Sequence, residues 1–155
     1  MNNVRRIILT GDGLGTEVIH GLKDLNKLRS DGTLHVDVLK MMHHGSEHNM
    51  DAEFPKLITA DHYIFCGNGF SGNPEEVVVE AVLASRLATR TRRSKNPEAC
   101  NPFHVWINTH SSVATNPNYR AHLKKIEKFV NDQQASSNGQ LTAHFLKEDA
   151  FWLSV

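Results

Sequence analysis

Cysteine is scarce in this chain. Cys66 and Cys100 are its two cysteines and no C-x-x-C pair occurs. That excludes a disulfide-stapled scaffold and a zinc ribbon, and it points to a reducing, cytoplasmic compartment. Net charge is lacking as well. Seventeen Lys and Arg balance seventeen Asp and Glu, so no global basic field draws the chain to nucleic acid. Long hydrophobic runs are missing: none approaches the roughly 20 residues that cross a bilayer. Met1-Asn2-Asn3 leads straight into Val4-Arg5-Arg6 without a secretory leader pattern. No internal repeat is evident. At 155 residues the chain reads as one soluble domain, long enough to bury a core.

Histidine is what the chain has in excess: ten, scattered rather than in a tract. Around them the pattern alternates between strand and helix. Residues 4–10 read as a strand rich in β-branched side chains. Residues 17–28 read as a helix with Val18, Ile19, Leu22, Leu25 and Leu28 on one face. Residues 33–42 form the next strand, residues 51–59 a short helix capped by Asp51, and residues 62–66 a brief buried strand. Asn73-Pro74-Glu75-Glu76 has the cap, proline and acid order of a helix start, and that helix runs to about residue 90. In residues 103–108, Phe103, Val105 and Ile107 alternate against His104 and Trp106, which places Trp106 on the second side of a sheet. Asn116-Pro117 opens a helix to about residue 133, with Tyr119, Leu123, Ile126 and Val130 inward. Residues 141–147 and 151–155 close the chain as strands. Such alternation predicts an α/β layer with a mainly parallel sheet, whose strand carboxyl ends are where ligands sit.

Two motifs stand at such ends. Gly11-Asp12-Gly13-Leu14-Gly15 follows the first strand. Its glycines allow a sharp turn that projects the Asp12 carboxylate, a donor suited to zinc, manganese or iron; the same residues also suit a strand-to-helix turn with Asp12 as a local cap. His43-His44-Gly45-Ser46 follows the second long strand. Adjacent histidines there point to opposite sides, one into the crevice and one toward a supporting partner; two partly exposed histidines are the plain alternative. His48 and Asn49 lie close enough in sequence to line the same crevice. The basic run at residues 86–95 carries Arg90, Arg92, Arg93 and Lys95, which suits either phosphate contact or a solvated helix end.

Together these stretches resemble the metallo-β-lactamase fold superfamily. The matching residues are Ile7-Ile8-Leu9-Thr10-Gly11-Asp12, then Asp37-Val38-Leu39-Lys40-Met41-Met42-His43-His44-Gly45-Ser46, then Ala60-Asp61-His62-Tyr63-Ile64-Phe65-Cys66-Gly67-Asn68-Gly69, ending at Gly72-Asn73-Pro74. They are similar to the later half of the hydrolase domain found in DNA-uptake competence proteins and their stand-alone relatives. The resemblance spans roughly residues 5–82. The run from Leu9 to Val18 is also similar to the opening of the isocitrate and isopropylmalate dehydrogenases, but Thr10 and Thr16 stand where that family has proline, and it has no place for the paired histidines.

The superfamily resemblance implies the later half of an αββα sandwich and a metal-dependent hydrolase. It implies Asp12 as a ligand bridging two zinc ions (manganese or iron in their place), with His44 as the late ligand and His43 as its alternative. Asn68 and Asn73 would lie on loops facing a small-molecule or phosphoester substrate. The family's HxHxDH signature is not found in the chain. The expectation is therefore a half-site: inactive alone, with a missing N-terminal half or a second copy as partner, nucleic acid as a further candidate, and no membrane. The alternative is a non-catalytic α/β binding or interaction module. Half a sandwich also leaves one sheet face uncovered, which invites association.

Overall fold

The strands arise where short apolar, β-branched runs meet turn residues. The computed structural model describes residues 5–147. Its elements are β1 (Ile7–Leu9), α1 (Gly15–Asp24), β2 (Leu34–Lys40), α2 (Phe54–Leu57), β3 (Ile58–Phe65), α3 (Glu76–Leu87), β4 (Phe103–Ile107), α4 (Pro117–Ser136) and β5 (Leu141–Phe145). The expected closing strand at residues 151–155, with Phe151 and Trp152, lies outside the described residues.

The fold is α/β. The five strands form one sheet in the order β1-β2-β3-β4-β5, and every neighbouring pair is parallel. Sequential parallel order with crossovers of one hand, the general rule, puts the helices on one side, and α1 touches α2, α2 touches α3 and α3 touches α4. The face beneath this helical layer is apolar. Ile8, Leu39, Tyr63, Val105 and Ala143 stand in register across all five strands, and Phe65, Ile107 and Phe145 form the next row. Tyr63, Phe65, Val105 and Ile107 are fully buried there against Val78, Val79, Val82, Ile126 and Val130 of the helices. The opposite face carries Ile7, Val38, His62, His104 and Thr142 in one row, and Leu9, Lys40, Ile64, Trp106 and His144 in the next. Most of it stays partly exposed, and Leu9 is 74% exposed. Trp106 is on the second side of the sheet, as its alternation against Val105 predicts.

Several local expectations are corrected. Residues 58 and 59 belong to β3, which starts four residues before the expected 62, and not to the end of the preceding helix, which is a single turn. Asp51 is not its N-cap, which is Glu53, but its carboxylate leads into the turn by accepting from the N–H groups of Glu53 (2.8 Å) and Phe54 (3.0 Å). Asn73 does not cap α3: the helix starts at Glu76, after Glu75, and the Asn73–Pro74 peptide is cis. Leu25 follows the last turn of α1 and is exposed, not on its inward face. At α4 the prediction holds: the Asn116 side chain accepts from the N–H groups of Asn118 (2.8 Å) and Tyr119 (3.4 Å), and Leu123, Ile126 and Val130 are buried.

Candidate functional site

The two motifs meet at the carboxyl edge of the sheet because β1 and β2 are parallel neighbours. Past β1 the chain turns through Gly11, whose φ is +56°. The Thr10 hydroxyl donates to the Lys40 carbonyl (2.8 Å), and the Gly13 N–H to the Thr10 carbonyl (3.1 Å). The Asp12 side chain is on the exposed side of this turn. Past β2, the N–H of His43 donates to the Gly11 carbonyl at 2.9 Å, so the turns are joined directly.

His43 and His44 are not in a strand. Both lie in a tight turn over Met42–His44, with φ of +41° and +61°, and Gly45 follows at +91°. Three consecutive left-handed residues cost roughly 1–2 kcal/mol at each side-chain-bearing position, and such conformations concentrate at functional sites. The rings diverge because of this turn, not through strand alternation; their centroids are 6.1 Å apart.

Each ring is held by its Nδ1. His44 Nδ1 is 3.1 Å from the Cys66 carbonyl. A carbonyl only accepts, so this nitrogen carries the hydrogen and the neutral ring keeps its lone pair on Nε2. His43 Nδ1 is 2.7 Å from Asn49 Oδ1. The Asn49 amide is oriented in turn by donating to the carbonyls of Asp12 (2.9 Å) and Gly13 (3.4 Å). His43 is therefore also the donor at Nδ1, with its lone pair on Nε2. Backbone or amide acceptors behind histidine rings are the usual support of ligating histidines. Asn49 is nearly buried and links both motifs.

Both rings line a cavity of about 430 Å³, together with Cys66, Gly67, Asn68, Phe70, Ser71, Asn73 and Asn108. Asn68 and Asn73, expected to face substrate, are thus both at the cavity. Asn68 Oδ1 accepts from the Phe70 N–H at 3.0 Å, which leaves its amide hydrogens for the cavity. Asn73 donates to the His43 carbonyl at 3.2 Å, and its Oδ1 is buried with no partner among the described residues. Such an atom is an acceptor awaiting a donor. Gly67 packs so closely on Asn73 that a Cβ there would stand 2.6 Å from the Asn73 carbonyl oxygen. Cys66 and Asn108 were not singled out in the sequence; their places after β3 and β4 were the available signal. Asp12 does not line the cavity.

As metal donors, two neutral imidazoles and one exposed carboxylate suit a borderline ion such as zinc. They are a partial set: among the described residues, no group of three or more His, Cys, Asp or Glu side chains is placed to hold a metal ion. Three arginines of the basic run are engaged within the protein. Arg86 is fully buried, donating to the carbonyls of Ala60, Ala99 (3.1 Å) and Asn101 (2.9 Å) with its guanidinium over the Phe103 ring. Arg92 pairs with Glu80 at 2.7 Å, and Arg93 donates to the Ala99 carbonyl at 3.3 Å. No helix among the described residues is long and apolar enough to cross a membrane. Compared with known proteins, the chain matches no family model, no curated protein and no solved structure.

Proposed function

We propose that this chain is a metal-dependent hydrolase of the metallo-β-lactamase fold and carries the later half of that fold's site. The observation that supports it best is the joining of the two turns: the His43 N–H on the Gly11 carbonyl, and Asn49 bridging the Asp12 turn to the His43 ring. In this reading Asp12 and His44 hold metal, with His43 beside them as the alternative ligand. Zinc, or manganese or iron in its place, supplies Lewis acidity to such a site. The chain's own contributions are specific. The Cys66 carbonyl and Asn49 keep both imidazoles in the tautomer that leaves Nε2 unprotonated. The Asn68 amide offers a donor to a small ester, amide or phosphoester substrate in the cavity, and Asn73 braces the cavity wall through the His43 carbonyl. The remaining donors come from another polypeptide segment or a second copy of the chain, in a cytoplasmic setting.

Elemental analysis of the purified chain beside Asp12→Ala and His44→Ala tests this reading. Near-stoichiometric zinc, manganese or iron that is lost in both folded variants, with phosphodiester or ester hydrolysis lost alongside, supports it. Retention of metal and activity in a folded Asp12→Ala variant overturns the assignment. The second reading is a non-catalytic α/β interaction module. It is favoured by the lack of a three-donor group among the described residues; a folded wild-type chain that takes up no metal in excess zinc, alone and also when the missing segment is supplied, decides for it.

A further inference from the structure

Three histidines unused by the proposed site lie together elsewhere. His62, His104 and His144 share the partly exposed sheet face with Trp106, because the register aligns His62 with His104 and Trp106 with His144. The Trp106 indole N–H donates to His62 Nδ1 at 3.1 Å. His104 Nδ1 and His144 Nε2 are 3.0 Å apart and share one hydrogen. The Trp106 and His144 rings stack at 3.7 Å between centroids, 8° from parallel, and the His62 and His104 rings at 4.7 Å and 17°.

We propose that these four rings form an acid-sensitive latch across β3, β4 and β5, closed while the imidazoles are neutral and opened when His62 takes up a proton. An indole nitrogen donates and cannot accept, so His62 meets Trp106 with the lone pair of Nδ1 and carries its own hydrogen on Nε2. The next proton must go to Nδ1. Two N–H groups then face each other and the bond is lost. The His104–His144 pair tolerates a first proton, on the outer nitrogen of whichever ring donates, and loses its bond at the second. Opening begins at His62, because a protonated His144 still gains from the indole face on which it stacks.

The charges around the latch set its direction. Asp61 and Asp37 on β3 and β2 favour a charged His62. They are already engaged: Asp61 with His35 Nε2 at 3.0 Å, Asp37 with the Arg5 guanidinium at 2.9 Å and the Arg6 N–H at 2.7 Å. Burial first, then the neighbouring His104 and His144, outweigh them and hold His62 below the usual histidine range. Burial, then His104, does the same for His144. Lys40 stands in the same row as Trp106 and His144 and adds positive charge, while β1 contributes the apolar Ile7 and Leu9. The sign follows: the neutral rings belong to the folded state, so the latch is complete above the ordinary histidine value of 6.5 and is lost as pH falls below it.

The test is the Trp106 indole N–H resonance, followed by NMR from about pH 7.5 to pH 5 in a Trp152→Phe background that leaves one indole. The expected result is an upfield movement with its midpoint below 6.5. It should vanish in His62→Ala, and its midpoint should rise in His104→Gln, which removes a competing charge. A resonance that stays fixed over this range, or titrates unchanged in a folded His62→Ala chain, overturns the latch. Should His62→Ala fail to fold, the ring nitrogens of His62 in the unsubstituted chain decide: protonation of Nδ1 in step with the indole movement supports the latch, and protonation out of step overturns it.

Discussion

Arg86 shows how much a single residue can be misjudged from its neighbours in sequence. It opens a basic run, yet it is 0% exposed and spends its guanidinium on main-chain carbonyls that stitch the loop after α3 to β3. Arg86→Met removes those donors, including the one to the buried Ala60 carbonyl; we expect a loss of about 3 kcal/mol, read as a lower urea midpoint with an unchanged slope. Gly45 is the second such residue. Its φ of +91° already disfavours a side chain, and a Cβ there would meet Phe65 Cδ1 and Pro74 Cβ, each at 2.9 Å. Gly45→Ala should cost about 2–4 kcal/mol and disturb the cavity with the fold, measured as a fall in Tm. Asn49 separates two roles. Asn49→Asp keeps an acceptor for His43 Nδ1 but no longer donates to the Asp12 and Gly13 carbonyls, whereas Asn49→Ala loses both. If the proposed metal site holds, metal content should fall further in Asn49→Ala than in Asn49→Asp. The identity of Asp12, His43 and His44 as candidates was legible from their strand-end positions. The roles of Asn49 and of the Cys66 carbonyl were not, because a hydrogen bond across the fold leaves no periodic trace in sequence.

At the scale of elements, local chemistry decided some boundaries and lost others. Asn116-Pro117 is a start signal whose parts all act locally, and the cap forms as expected. Asn116→Ala should cost about 1 kcal/mol, visible in chemical denaturation without change in the cavity residues. Asn73-Pro74-Glu75-Glu76 offers the same letters and fails as a cap, because the Asn73 amide is drawn to the His43 carbonyl at 3.2 Å. The α3 helix then begins later and carries three consecutive valines at 77–79, against their intrinsic preference; Val78 and Val79 are buried at the sheet, and that packing outweighs propensity. The β3 boundary was missed for a related reason. Ile58, Thr59 and Ala60 continue straight from one helical turn into a strand, with no turn residue between them to mark the change.

Over the described residues the molecule is a parallel sheet with helices on one face and a partly polar second face. The half-sandwich expectation foresaw an apolar open face. The structure instead places imidazoles, an indole and Lys40 there beside Ile7, Leu9 and Ile64, and that composition couples stability to pH. His62 and His144 bind protons less readily folded than unfolded, so the unfolded chain takes up more protons below about pH 6.5 and stability should fall from there downward. The carboxylates of Asp37 and Asp61 act in a lower window. For Asp61 the His35 hydrogen bond is the main cause; for Asp37 burial opposes, but the Arg6 N–H and Arg5 together outweigh it. Both are held below the usual carboxylate value, and their contribution is lost only as pH drops through about 4 and below. Urea titrations at stepped pH should show the first loss shrink in His62→Ala and the second remain. Alternating periodicity, strand-end motifs and the asparagine at 116 were enough for the sequence alone to determine an α/β layer and a parallel sheet, because those signals act over a few residues. The union of the two turns through Asn49, the burial of Arg86 and the assembly of His62, His104, Trp106 and His144 were decided by tertiary structure. They depend on tertiary contacts between residues 13 to 44 positions apart, and no local preference of the chain specifies those pairings.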